Sequence, residues 1–91
     1  MRKIKVIYKK LGRNKVYGFA NCGDDEIEVD SRLKGKKQLE IIIHESMHLL
    51  LPDAEEDEII EKSVILTNTL WYQGFRMVDS DISTPMQDGS I

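Results

Sequence analysis

The residues His44-Glu45-Ser46-Met47-His48 sit inside an apolar run, with Ile41-Ile42-Ile43 before them and Leu49-Leu50-Leu51 after. No other segment restricts the fold of this chain as tightly. An HExxH box brings its two imidazoles together only on a helix, where positions i and i+4 share a face. Helical spacing thus lets His44 and His48 reach one metal ion. Glu45 projects beside them, where a carboxylate can take a proton from activated water. Both histidines of the chain are spent on this box. The competing reading is an ordinary helix with one histidine hydrogen-bonded at the edge of the core, and the joint placement of two His and one Glu favours the metal.

The rest of the chain has to support that helix with little material. Its 91 residues are enough for one domain with a modest core. The longest near-apolar stretch is interrupted by His44, Glu45 and His48, so no membrane span is expected. Met1-Arg2-Lys3 is basic, but no apolar run follows it, and no secretory leader is expected. A single cysteine, Cys22, rules out an intramolecular disulfide and fits a reducing, intracellular compartment.

Strand and helix periodicities follow one another along the chain. Lys3 to Lys10 alternates with Ile4, Val6 and Tyr8 on one face and reads as a strand. Gly12-Arg13-Asn14 signals a turn, Val16 to Ala20 a second strand, and Asn21 to Asp25 another turn. Glu26 to Asp30 reads as a third strand with Ile27 and Val29 inward. A first helix is expected over Gln38–Leu51 and is stopped by Pro52. Asp53 with Glu56 three residues later resembles a capping box, opening a second helix over Ala54–Gln73 that ends before Gly74. Its inward stripe is Ile59, Ile60, Ser63, Leu66, Thr67 and Leu70, with Val64 and Trp71 at the margin. The expected fold is α+β: a small, mainly antiparallel sheet of about three strands packed on two consecutive helices. The domain spans residues 1–78, and residues 79–91 form a polar tail.

A catalytic zinc takes three protein ligands and keeps a position for water. With no histidine left, the third ligand is an acid or Cys22, and Cys22, lacking a CxxC partner, reads as a small structural residue. The turn at Pro52-Asp53 folds the second helix back along the first, so its opening acids pass close to His48. At 100° per residue Glu56 falls on the inward stripe with Ile59 and Ser63, and Asp57 at its margin; Glu58 and Glu61 fall on the polar face. Glu56 ranks first. Asp57, Glu58 and Glu61 stay open, because a later residue suits a longer reach to His44.

On these residues the chain resembles the zincin metallopeptidases, and among them the gluzincin type, in which HExxH is followed by a Glu on the next helix. It also looks like small phage-type HExxH proteins, with a short sheet, Asp30-Ser31-Arg32-Leu33-Lys34-Gly35 before the helix and Leu70-Trp71-Tyr72-Gln73-Gly74-Phe75-Arg76 closing the second helix. The resemblance implies a twisted sheet over the active-site helix, with an edge strand that binds an extended peptide. Ile27 to Asp30 is the natural candidate for that strand.

The expected activity is therefore hydrolysis of peptide bonds. Zn²⁺ would be held by His44, His48 and Glu56, with Glu45 as general base and Tyr17, Tyr72 or Arg76 as candidates to stabilise the oxyanion. The rival reading is a zinc-binding regulatory or interaction module without proteolysis. A purely structural zinc prefers four Cys or His ligands, and Glu45 would have no task there. A third reading starts from charge. The first 23 residues carry seven Lys or Arg and no acid, whereas six acids lie between Asp53 and Glu61, within a net charge of −3. Without an aromatic platform or a nucleic-acid motif, the basic segment reads as a solvated strand edge, and nucleic acid is not the expected partner. A peptide or protein substrate is, and an open sheet edge is compatible with a homodimer.

Overall fold

The computed structural model describes residues 1–12 and 16–78. Three strands, β1 (Lys5–Lys9), β2 (Gly18–Asn21) and β3 (Glu26–Asp30), precede two helices, α1 (Gly35–Leu50) and α2 (Glu56–Tyr72). This is a small α+β fold. The expected turn residues Arg13 and Asn14 and the tail 79–91 lie outside the described residues.

The strand order is β1-β3-β2, and the sheet is mixed rather than mainly antiparallel. β2 and β3 form an antiparallel hairpin with Gly18 opposite Val29, while β1 runs parallel to β3 with Val6 opposite Ile27. The hairpin turn is closed by the Asp24 N–H donating to the Asn21 carbonyl at 3.2 Å. Asp25 then takes φ 53°, a left-handed conformation that Asp tolerates better than most residues. β3 is thus the central strand, which corrects the expectation that Ile27–Asp30 forms an edge. β3 is paired with β1 on one side and β2 on the other, and its inward Ile27 and Val29 are both 0% exposed. The edges are β1 and β2. Two basic side chains of the first segment pair with acids of the hairpin, Arg2 with Asp25 at 2.7 Å and Lys9 with Glu28 at 3.4 Å.

Helix α1 is the middle layer, with β2 and β3 against one side and α2 against the other. That placement explains why a 16-residue helix carries apolar residues around so much of its circumference. Ile41 and Leu49 are buried and join Ile27 and Val29 in the core, with Ile4, Val6, Ala20, Leu33 and Ile42 packed on it. The helix begins at Gly35, before the expected Gln38, because Gly35 at φ +63° turns the chain directly into it.

The connection to α2 is tighter than a capping box requires. The Ala54 N–H bonds the Leu51 carbonyl at 3.0 Å, and the Glu58 and Ile59 N–H groups both bond the Glu55 carbonyl at 3.0 Å. Glu55 is therefore the N-cap, without a side-chain capping bond, and Asp53 stays in the turn. The expected box fails because the Glu56 carboxylate is directed at the histidines of α1 instead of back toward Asp53.

α2 packs chiefly against α1, so its buried stripe is narrow: Ile59, Ser63 and Thr67, one per turn. Ile60 and Leu66, expected inward, are exposed, and Leu70 is half-buried. The helix ends as expected. Phe75 N–H bonds the Leu70 carbonyl at 3.1 Å and Gly74 N–H the Trp71 carbonyl at 2.9 Å, a Schellman pair that needs Gly74 at φ +94°. Among the described residues no helix is long and apolar enough to cross a membrane.

At the end of β3 the Asp30 side chain is nearly buried. Its carboxylate accepts the Arg32 backbone N–H and Nε at 2.9 Å and Nη2 at 2.6 Å, while Arg32 also donates to the Leu11 carbonyl. The hydrogen bonds from Arg32 hold this carboxyl well below the usual Asp range. An Asp depressed in the folded state binds its proton more readily when unfolded. Its stabilising contribution is therefore complete above the unfolded value, about 4, and is lost as pH falls below it. Thermal unfolding followed against pH should show the melting temperature dropping below about pH 4. Asp30→Asn should be less stable at neutral pH and should lack that part of the acid dependence.

Candidate metal centre

On the last turns of α1, His44 and His48 project from one face, and the first turn of α2 brings Glu56 up to them. The two Nε2 atoms lie 3.3 Å apart. Glu56 Oε2 is 3.3 Å from His44 Nε2, and Oε1 is 3.0 Å from His48 Nε2. Among the described residues these three form the one His/Cys/Asp/Glu group whose donor atoms come together within 4.8 Å. A tetrahedral zinc with bonds of about 2.0–2.1 Å separates its ligand atoms by about 3.3 Å, so the spacing fits the ion closely. The donor set fits as well: two imidazole nitrogens and one carboxylate, with capacity left for a fourth ligand.

The short turn after α1 makes this convergence possible, and the inward phase of Glu56, Ile59 and Ser63 aims the acid at α1. Asp57, Glu58 and Glu61 are not members of this cluster, and Glu58 pairs instead with Lys62 at 3.7 Å. Cys22 is free and exposed in the hairpin turn and takes no part in the cluster.

Glu45, adjacent in sequence, stands outside the three-donor cluster. Burial pushes its carboxyl up from the usual Glu range, against a smaller lowering by His44 and His48, while Glu56 raises it slightly. No hydrogen bond to its side chain forms among the described residues. It lines a cleft of about 370 Å³ together with His44, Tyr17, Gly18, Ile41 and Ile60. Of the three residues considered for an oxyanion, Tyr17 alone borders this cleft. Arg76 stacks on Trp71 at 3.4 Å, and Tyr72 lies under Lys36, both at the far end of the helix pair. A hollow of about 390 Å³ at that end, between Lys34 and Trp71, is lined by no histidine or carboxylate among the described residues.

β2 gives the cleft its wall. Asp30 N–H bonds the Tyr17 carbonyl at 2.9 Å, so in this register Tyr17, Phe19 and Asn21 bond inward to β3. The alternation of an antiparallel ladder then turns the N–H and C=O groups of Gly18 and Ala20 to the open edge, beside Glu45. Sequence reasoning missed Gly18. The available signal was a glycine within an apolar strand, which marks close approach of another element. Comparison with known proteins finds no match among family models, curated proteins or solved structures.

Proposed function

We propose that this chain is a zinc-dependent metallopeptidase of gluzincin type. The observation that carries the reading is the convergence of His44, His48 and Glu56 at 3.0–3.3 Å beside a separate, partly buried Glu45. His44, His48 and Glu56 would hold the ion, which when bound supplies a Lewis acid and lowers the pKa of water. Glu45 accepts the proton of the attacking water and later delivers it to the leaving amine. The outward N–H and C=O groups of Gly18 and Ala20 hold an extended peptide along the β2 edge, as an added strand. Tyr17, on the same wall, is the side chain suited to stabilising developing negative charge. The free, exposed Cys22 supports an intracellular setting.

A second reading draws on α2 packing chiefly against α1. An ion bridging His44 and His48 to Glu56 would clamp this helix hairpin, as in a zinc-binding interaction module that does not cleave peptides. The test is elemental mass spectrometry on protein purified without a His-tag or added zinc, followed by a peptide-library digest. About one zinc per chain with metal-dependent cleavage supports the peptidase. Zinc without cleavage supports the clamp, and failure to take up zinc on titration removes both.

A further inference from the structure

We propose that Gly18 is a positioning residue for Glu45: having no side chain, it lets the β2 backbone sit in the notch between Ile41 and Glu45 and wall in the Glu45 carboxylate. The proposal rests on the reading of Glu45 as the general base. A Cβ added at Gly18 would stand 2.6 Å from Ile41 Cγ2, 2.9 Å from Glu45 Cγ and 3.1 Å from Glu45 Oε2. A Cβ essentially never stands closer than 3.0 Å to another heavy atom, so any other residue must displace both Ile41 and Glu45, or the strand itself.

Backbone conformation does not explain this glycine. Among the described residues the left-handed glycines are Gly35 and Gly74, and Gly18 is ordinary strand. Glycine inside a strand costs conformational entropy and forfeits a packing side chain, so its benefit lies in close approach. The register agrees. Gly18 lies opposite Val29 and Ala20 opposite Ile27, on the face turned to α1. That face thus carries the two smallest residues of β2, and the helix comes nearest at the smaller one. Ile41 and Glu45 are one turn apart on α1, so the strand backbone fits between them.

The consequence falls on Glu45 because nothing else holds it. Its carboxylate has no hydrogen-bond partner among the described residues, and its direction is set by the surfaces around it. The same wall that confines the carboxylate carries the peptide-facing groups of Gly18. The base and the substrate strand are therefore registered against each other by one contact.

Packing against Ile41 and positioning of Glu45 can be separated. Ile41→Leu removes the Cγ2 methyl at nearly constant volume, so Gly18→Ala in that background clashes with Glu45 alone. In the metal-free protein, nuclear Overhauser contacts between Gly18 Hα and Glu45 Hγ protons are expected. Their absence from the folded protein overturns the proposal. Gly18→Ala/Ile41→Leu should melt cooperatively like Ile41→Leu and bind zinc equally, while the Glu45 side-chain couplings change to those of another rotamer. Unchanged Glu45 couplings overturn the proposal. In zinc-loaded protein, kcat should fall by roughly 10–100-fold relative to Ile41→Leu, with KM within about twofold. Full kcat in the double variant assigns Gly18 to packing and overturns positioning. Should the parent chain cleave no peptide, the peptidase reading fails on that result, and the Glu45 couplings still decide whether Gly18 holds the side chain.

Discussion

Glu45→Gln should leave about one zinc per chain and reduce peptide hydrolysis by roughly 10²–10⁴-fold, the range for losing a general base. Gln matches Glu in shape, so the confined space between α1 and β2 is filled as before. The donor cluster is His44, His48 and Glu56, and Glu45 is not among its members, so metal content should not change. What disappears is the capacity to accept a proton. In the metal-free protein, burial disfavours the charged form of Glu45 and raises its carboxyl above the usual Glu range. Metal analysis and turnover measured on the same preparation make the check. Full turnover with zinc bound would remove Glu45 from the chemistry. Undetectable turnover in both proteins would shift the balance to the helix clamp.

Much of this site is legible in the amino-acid sequence, for a geometric reason. An i, i+4 pair of histidines on an apolar helix has one arrangement, and the 100° step along the next helix ranks Glu56 above Glu58 and Glu61. The same helical phase misplaces Ile60 and Leu66, since it assumes a broad inward face, and α2 packs mainly on one neighbour. The capping box fails because Glu56 cannot both return to its own N-terminus and face His48. Strand order is the least legible feature. The Ile27/Val29 alternation is the same in a central strand and in an edge strand, and nothing local in Lys5–Lys9 announces a parallel partner 21 residues away. The wrong edge follows from that, and with it the overlooked Gly18.

Removing Glu56 tests the part of the site with the most sequence alternatives. Glu56→Ala should weaken zinc binding by more than the 10–100-fold typical of losing an outer-shell partner, because a direct donor is lost. Glu58→Ala, which breaks only the exposed pair with Lys62, should bind zinc as the parent does. Thermal unfolding reads the same difference. Zinc at a hundredfold excess over its dissociation constant adds about 2.7 kcal/mol to the folded state. In a domain of this size that should raise the melting temperature by about 10–20 °C. Glu56→Ala should lose most of that rise and Glu58→Ala should keep it. The rise also has a structural source, since the ligands join the end of α1 to the start of α2, where packing is supplied by little more than Ile59 and Ser63. If Glu56→Ala binds zinc unchanged, the cluster at 3.0–3.3 Å is a polar contact between a carboxylate and two imidazoles, and the third metal ligand lies elsewhere among the acids of the α2 start.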